Sequence, residues 1–503
     1  VLSAHVENLR LFGTDNLNGT GNALANVIEG NAGNNRLDGG AGDDYLLGYG
    51  GDDTYVVDSA SDRVTEAAEG GTDTVEASIS HAVGANIENL ILTGSGNIDG
   101  TGNALANVIE GNAGNNRLDG GAGDDYLLGY GGDDTYVVDS ASDRVTEAAE
   151  GGTDTVEASI SHAVGANIEN LILTGSGNID GTGNELANVI TGNSGNNYIN
   201  GRAGADQMSG GGGNDIYFVD NWGDIVHETA DGGTDTVQAT VSVVLSAHVE
   251  NLRLFGTDNL NGTGNVLANV IEGNAGNNRL DGDAGDDYLL GYGGDDTYVI
   301  YSASDRIYEA ADGGTDTVEA SINYAIGANV ENLRLFGTDN LNGTGNALAN
   351  VIEGNAGNNR LDGGAGDDYL LGYGGDDTYV VDSASDRVTE AAEGGTDTVE
   401  ASISHAVGAN IENLILTGSG NIDGTGNELA NVITGNSGNN YINGRAGADQ
   451  MSGGGGNDIY FVDNWGDIVH ETADGGTDTV QATVSVVLSA HVENLRLFGT
   501  DNL

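Results

Sequence analysis

Residues 30–56 read GNAGNNRLD, GGAGDDYLL and GYGGDDTYV, three consecutive nine-residue blocks that open at Gly30, Gly39 and Gly48. Each carries a large apolar residue in its eighth position, Leu37, Leu46 and Tyr55, and the same beat of nine extends back to Ile28 and on to Val64. Two positions before each of these stands Asn26, Asn35, Asp44, Asp53 or Asp62. A helix needs apolar residues every three or four positions, and this stretch lacks them. A glycine-rich bend followed by a very short strand with one inward side chain fits instead. Two such blocks close a coil of about 18 residues, and stacked coils make two parallel sheets around a thin core. The fold expected is therefore all-β, a parallel β-roll or β-solenoid, with roughly 28 coils over the whole chain.

Outward from these blocks, the segment Gly-Thr-Gly-Asn starts at Gly19, Gly100, Gly181, Gly262, Gly343 and Gly424, always 81 residues apart. Tandem repetition of this kind marks a solenoid or array. Units 19–99, 100–180 and 343–423 are identical, 262–342 is a mild variant, and 181–261 is a second type that recurs in 424–503. Residues 1–18 are read as the end of a preceding repeat. Because residues 1–17 recur as 487–503, we expect a window on a longer array or a subunit whose ends continue into neighbours. From Ser59 to Asp99 the nine-residue beat is lost, while strand-like clusters persist in DRVTE (62–66), GGTDTVEASISHAV (70–83) and IENLILTG (87–94). These are expected to continue the same solenoid, the alternative being a small separate β domain in each unit.

Composition narrows the function. The chain has 87 Gly, no Pro and no Cys, so disulfides, zinc-thiolate sites and thiol catalysis are excluded. Against 78 Asp and Glu stand 14 Lys and Arg, a formal net charge of −64. Such a surface repels nucleic acid and anionic membranes, and no apolar run reaches the length of a membrane span, so neither nucleic-acid binding nor membrane insertion is expected. No basic-then-apolar leader opens the chain, and an export signal is expected outside this sequence. A glycine-rich chain with this self-repulsion stays disordered unless a cation neutralises it.

The block GGAGDDYLL, Gly39–Leu47, resembles the RTX or haemolysin-type calcium-binding nonapeptide G-G-x-G-x-D-x-U-x at every defined position. Gly48–Val56 keeps Gly51 and Asp53, whereas Gly30–Asp38 has Asn35 in the aspartate position. The resemblance implies that stacked bends sandwich calcium between sixth-position aspartates and backbone carbonyls. The residue types agree on their own account: calcium takes six to eight hard oxygen ligands, and magnesium, with its tighter octahedron, suits such bends less. Glycine permits the positive backbone angles that turn carbonyls inward. Comparing repeats singles out the sixth position, because Asp43 and Asp52 become Ala205 and Asn214 in the second repeat type while Asp44 and Asp53 persist as Asp206 and Asp215.

The candidate metal ligands of the first repeat are thus Asn35, Asp44, Asp53, Asp62 and Asp73, with Gly39, Gly42, Gly48 and Gly51 shaping the bends. Their aspartate counterparts are Asp125, Asp134, Asp143 and Asp154 in the second repeat and Asp206, Asp215, Asp224 and Asp235 in the third. The fourth has Asp287, Asp296, Asp305 and Asp316, the fifth Asp368, Asp377, Asp386 and Asp397, and the last Asp449, Asp458, Asp467 and Asp478. The competing reading is that these aspartates only close local bends onto the backbone. Neutralising 64 charges with divalent ions would take 64/2 = 32, and two to four calcium ions per repeat are expected.

Other residues point elsewhere. The eight histidines occupy repeated slots, and Tyr324 replaces one, so none is read as catalytic. Met208, Met451, Trp222 and Trp465, confined to the second repeat type, are expected to fill gaps in the coils. No enzyme activity is expected in this chain. The resemblance implies a bacterial protein exported unfolded through a type I channel to the medium or the cell surface, where calcium drives folding. The favoured function is a structural or adhesive array: a stalk, surface layer, matrix fibre or adhesin segment, with copies of itself end to end or side by side as partners. The alternatives are the calcium-folded C-terminal appendage of a secreted RTX enzyme, and a calcium-dependent module binding surface glycan or protein.

Overall fold

The computed structural model of the protein describes residues 1–499, so the last four residues of the final repeat lie outside it. Among the described residues there are 54 strands of two to five residues and no helix, which at two strands per turn makes about 27 turns. The chain divides into two compact units, Val1–Asn251 and the part from Leu252 onward.

In the first unit, β1 (Asn8–Arg10), β3 (Val27–Glu29), β5 (Tyr45–Leu47) and β7 (Arg63–Thr65) stack in parallel along one side. On the other side, β2 (Gly19–Thr20), β4 (Arg36–Asp38), β6 (Thr54–Val57), β8 (Thr74–Ala77) and β10 (Asn89–Leu92) do the same, with β9 (His81–Ala82) returning to the first. Register places Ile28 beside Leu46 and Leu46 beside Val64, while Leu37, Tyr55, Val75 and Leu90 form the opposite column. The segment after Val57 therefore continues the solenoid and is no separate domain. Its coils are uneven, since Tyr55 to Val75 is a step of 20 residues and Val75 to Leu90 one of 15. The unit from Leu252 is built alike, with Ile271, Leu289 and Ile307 in one column.

Ile28, Leu37, Leu46, Tyr55 and Val75 are fully buried, so the core is a thin file of side chains, one column from each narrow sheet, with Val57 and Ala77 buried beside it. Met208 takes the same kind of place, beside Ile190, and is fully buried. The expectation for Trp222 and Trp465 is corrected: they are 77% and 75% exposed, because they stand in the bends between Ile216–Val219 and Ile225–His227 and between Ile459–Val462 and Ile468–His470, outside the file.

One repeat contributes nine strands, from β2 to β10, hence four and a half turns. Ile28 stacks on Leu9 in the first column, but its counterpart Ile109 stacks on Leu90 in the second. Consecutive repeats within Val1–Asn251 thus present equivalent residues on opposite edges.

Candidate metal centres

Each bend delivers its sixth-position side chain to a sheet edge, where it meets the bend of the coil before. The Asn26 N–H donates to Asp44 Oδ1 at 2.6 Å, and the Asp44 N–H donates to Asp62 Oδ1 at 2.9 Å. On the other edge the Asn35 N–H donates to Asp53 Oδ1, and the Asp53 N–H to Asp73 Oδ1, both at 2.7 Å. One oxygen of each aspartate is thereby used. The other, Oδ2 of Asp44, Asp53 and Asp73, is buried and no donor reaches it. The same holds in all six repeats, giving 18 such oxygens among the described residues. A buried carboxylate oxygen without a partner costs free energy on the scale of kilocalories, so the bends are built for a charge that compensates it.

Glycine makes room for this arrangement. A Cβ on Gly39 would collide with Asp44 Oδ2, and one on Gly48 with Asp53 Oδ2. At Gly51, with φ of 101°, a Cβ would also sit 2.6 Å from the carbonyl carbon of Gly33 in the adjacent coil. A Cβ on Gly42, at φ 146°, would lie as close to the Leu24 carbonyl oxygen. Hard oxygens without donors, beside glycine cradles, suit a calcium ion. Asp44 would hold one such ion at its edge, and Asp53 with Asp73 another at the opposite edge.

Asparagine bends differ. Asn35 Oδ1 accepts the Asn31 N–H at 2.8 Å, and its Nδ2 donates to the Leu17 carbonyl of the previous coil at 2.8 Å. Asn26 does the same with the Asn22 N–H and the Val6 carbonyl. Both ends of the carboxamide are satisfied inside the protein. Asp62 is satisfied too: its Oδ2 accepts the N–H groups of Asp58 and Ser59, a local closure repeated at Asp143, Asp224, Asp305, Asp386 and Asp467. Local bend closure therefore describes the Asp62 set, whereas the Asp44, Asp53 and Asp73 sets retain an oxygen beyond it. Asp43 and Asp52 are exposed. His81, His162 and His405 lie half-buried on strands, and burial holds them below the ordinary histidine value.

Sequence reasoning missed Glu66. It is buried at the foot of β7, accepts the Tyr55 hydroxyl, and lies with Asp53 and Asp73 so that one carboxylate oxygen of each is within 4.8 Å of the others. The trio recurs as Asp134, Glu147 and Asp154, as Asp215, Glu228 and Asp235, as Asp296, Glu309 and Asp316, and as Asp377, Glu390 and Asp397. A signal existed, because Glu66 follows Asp53 by 66 − 53 = 13 residues and Glu228 follows Asp215 by the same 13, although DRVTE has become DIVHE. Burial pushes the Asp53 and Asp73 carboxyls up to about 7, partly offset by a backbone N–H to each, with the Glu66 charge adding to the rise. Burial also raises Asp44.

The family described as RTX calcium-binding nonapeptide repeat (4 copies) matches residues 20–55, 101–136, 182–217, 263–298, 344–379 and 425–460. No curated protein matches the chain. Each matched segment contains the Asp44 and Asp53 bends, or their counterparts, and ends before Glu66 and Asp73.

Proposed function

Because six segments of this chain are RTX calcium-binding nonapeptide repeats, we propose that the protein is an extracellular, non-enzymatic structural or adhesive array of bacterial origin that folds and stiffens when calcium fills its bends. The observation that carries the reading is the set of 18 buried aspartate oxygens without donors, three in every repeat, in a chain of net charge −64. Calcium bound there supplies the positive charge that the bends lack. The protein's own groups do the rest: Oδ1 of each aspartate ties its bend to the previous coil, and the glycines keep Oδ2 accessible from within the bend. Ion binding and coil stacking are then one event, with binding energy appearing as folding energy.

Near-identical repeats add length and repeated surface without adding a new site, which favours a stalk, surface layer, matrix fibre or adhesin segment, with export as an unfolded chain and folding in calcium outside the cell. Circular dichroism tests the coupling: a chain in chelator is expected to be disordered and to gain β signal on addition of calcium. Full β signal in chelator at neutral pH would overturn it. A calcium-dependent glycan-binding module is the second reading, favoured by Trp222, which stands exposed beside a groove lined by Val241, Val243 and Leu245. Glycan-array binding that disappears in Trp222→Ala and Trp465→Ala together would establish that reading.

A further inference from the structure

The family pattern accounts for the Asp44 and Asp53 bends, but the two differ in what surrounds the donor-free oxygen. Around Asp44 the neighbouring aspartates are spent or exposed: Asp62 accepts three backbone N–H groups, and Asp43 is exposed. Around Asp53 two further buried carboxyl groups close in, Glu66 and Asp73, both from outside the nonapeptides. Asp53 and Asp73 are at most 1% exposed, and each brings an oxygen without a donor. Asp53 Oδ2, Glu66 Oε2 and the Tyr55 hydroxyl converge on the same spot, the place a Cβ on Gly48 would fill.

We propose that Asp53, Glu66 and Asp73 form a second kind of divalent-cation site, one per repeat, distinct from the simple glycine-aspartate bend at Asp44 and tighter than it. The proposal rests on calcium binding by the nonapeptides as read above. Three carboxylates offer a hard cation more charge than one, and among oxygen-ligand sites affinity rises with ligand charge and rigidity. Rigidity comes from Tyr55, which is fully buried in the core file and donates its hydroxyl to Glu66, and from the Ala67 N–H, which donates to Glu66 Oε1 at 2.6 Å. Glu66 is thus anchored at both oxygens before an ion arrives, and Tyr55 acts as a positioning residue. The same hydroxyl-to-glutamate bond occurs at Tyr136 and Glu147, Tyr217 and Glu228, Tyr298 and Glu309, Tyr379 and Glu390, and Tyr460 and Glu471. The same side-chain trio serves both repeat types although the intervening sequence differs.

The test is calcium binding to the full chain, by equilibrium dialysis for affinity and native mass spectrometry for ion count. The native chain is expected to show two classes of site, the tighter holding about one ion per repeat. In a chain with Glu66, Glu147, Glu228, Glu309, Glu390 and Glu471 all changed to Gln, the tighter class is expected to weaken at least about tenfold, while the weaker class persists. Glutamine still accepts the tyrosine hydroxyl, so the β signal at saturating calcium is expected to remain. Glu228→Gln alone, which leaves five trios intact, is expected to lose one tight ion and guards against a fold failure of the sixfold variant. Unchanged count and affinity of the tight class in both variants would overturn the proposal while leaving calcium binding by the bends in place. No calcium bound by the native chain would instead remove the reading on which it rests.

Discussion

Acid is expected to substitute for calcium. In excess chelator at about pH 7.5 the protein should lack β structure, and lowering the pH to about 5, with no metal added, should restore much of it. Burial raises the carboxyls of Asp53 and Asp73 from an ordinary 3.8 to about 7. A group whose pKa is higher in the folded state than in the unfolded chain stabilises the fold only while protonated. Its contribution is complete below about pH 4 and is lost as the pH rises through about 7. Moving a carboxyl from 3.8 to about 7 corresponds to roughly 4 kcal/mol. The second repeat has the same pair, Asp134 and Asp154, both raised to about 7, and the fourth has Asp296 and Asp316. Each pair shares a site, so the two contributions are not simply additive, yet several kilocalories in a repeat are comparable with the roughly 4–12 kcal/mol that about 0.05–0.15 kcal/mol per residue gives 81 residues. Without ion or proton that cost takes up much of the net stability of a repeat.

The assay is a pH titration of the far-ultraviolet dichroism in chelator, beside a parallel titration in saturating calcium. The expected midpoint in chelator lies between about pH 5 and 7, whereas the calcium sample should stay flat across that window. A chelated chain whose β signal is flat from about pH 4 to 8, or rises with pH, would refute the argument from buried carboxyls.

Three substitutions probe the parts separately. Changing Asp44, Asp125, Asp206, Asp287, Asp368 and Asp449 together to Asn should reproduce the self-satisfied bend of Asn26, lowering the calcium count by native mass spectrometry while the β signal at saturating calcium is kept. Gly51→Ala places a methyl group against the Gly33 backbone at a φ of 101°, and should cost at least about 1 kcal/mol, read as local loss of hydrogen-exchange protection that excess calcium does not repair. Tyr55→Phe removes the donor from buried Glu66 and should cost about 1–3 kcal/mol, seen as a higher calcium concentration at the folding midpoint when all six tyrosines are changed.

The nine-residue beat made the strands, the core file of Ile28, Leu37, Leu46 and Tyr55, and the edge position of Asp44 and Asp53 legible, because each block is a complete bend plus strand whose geometry depends only on itself. Beyond Val57 the legibility fades for a physical reason. Val75 and Leu90 still point inward, but the loops that deliver them have 20-residue and 15-residue spacing, so no fixed period announces them. Asp62 and Asp44 look alike in sequence. They part company only because the N–H groups of Asp58 and Ser59 fold back onto Asp62, while nothing reaches Asp44 Oδ2. Glu66 was hidden because its role arises from coil stacking, which brings together residues 13 and 20 positions after Asp53.

The half-turn carried by each repeat decides how the sites influence one another. With nine strands per 81 residues, the Asp53 trio and the Asp134 trio lie on opposite edges of the unit Val1–Asn251, and the next trio on the first edge is that of Asp215. Asp53 and Asp215 are 215 − 53 = 162 residues apart, or nine turns. At about 4.8 Å per turn that is roughly 43 Å, several times the ~8–10 Å Debye length at physiological salt. Even trios on opposite edges are separated by about 22 Å along the stack. Direct repulsion between trios is therefore screened, and filling one does not by charge alone help or hinder the next. What links them is the hydrogen-bonded stack between: an empty trio leaves its own coils costly to close, and those coils are the template on which the following repeat pairs. Cooperativity in calcium-driven folding is therefore expected to come from strand pairing between neighbouring coils, while the half-turn per repeat sets successive trios on opposite edges within Val1–Asn251.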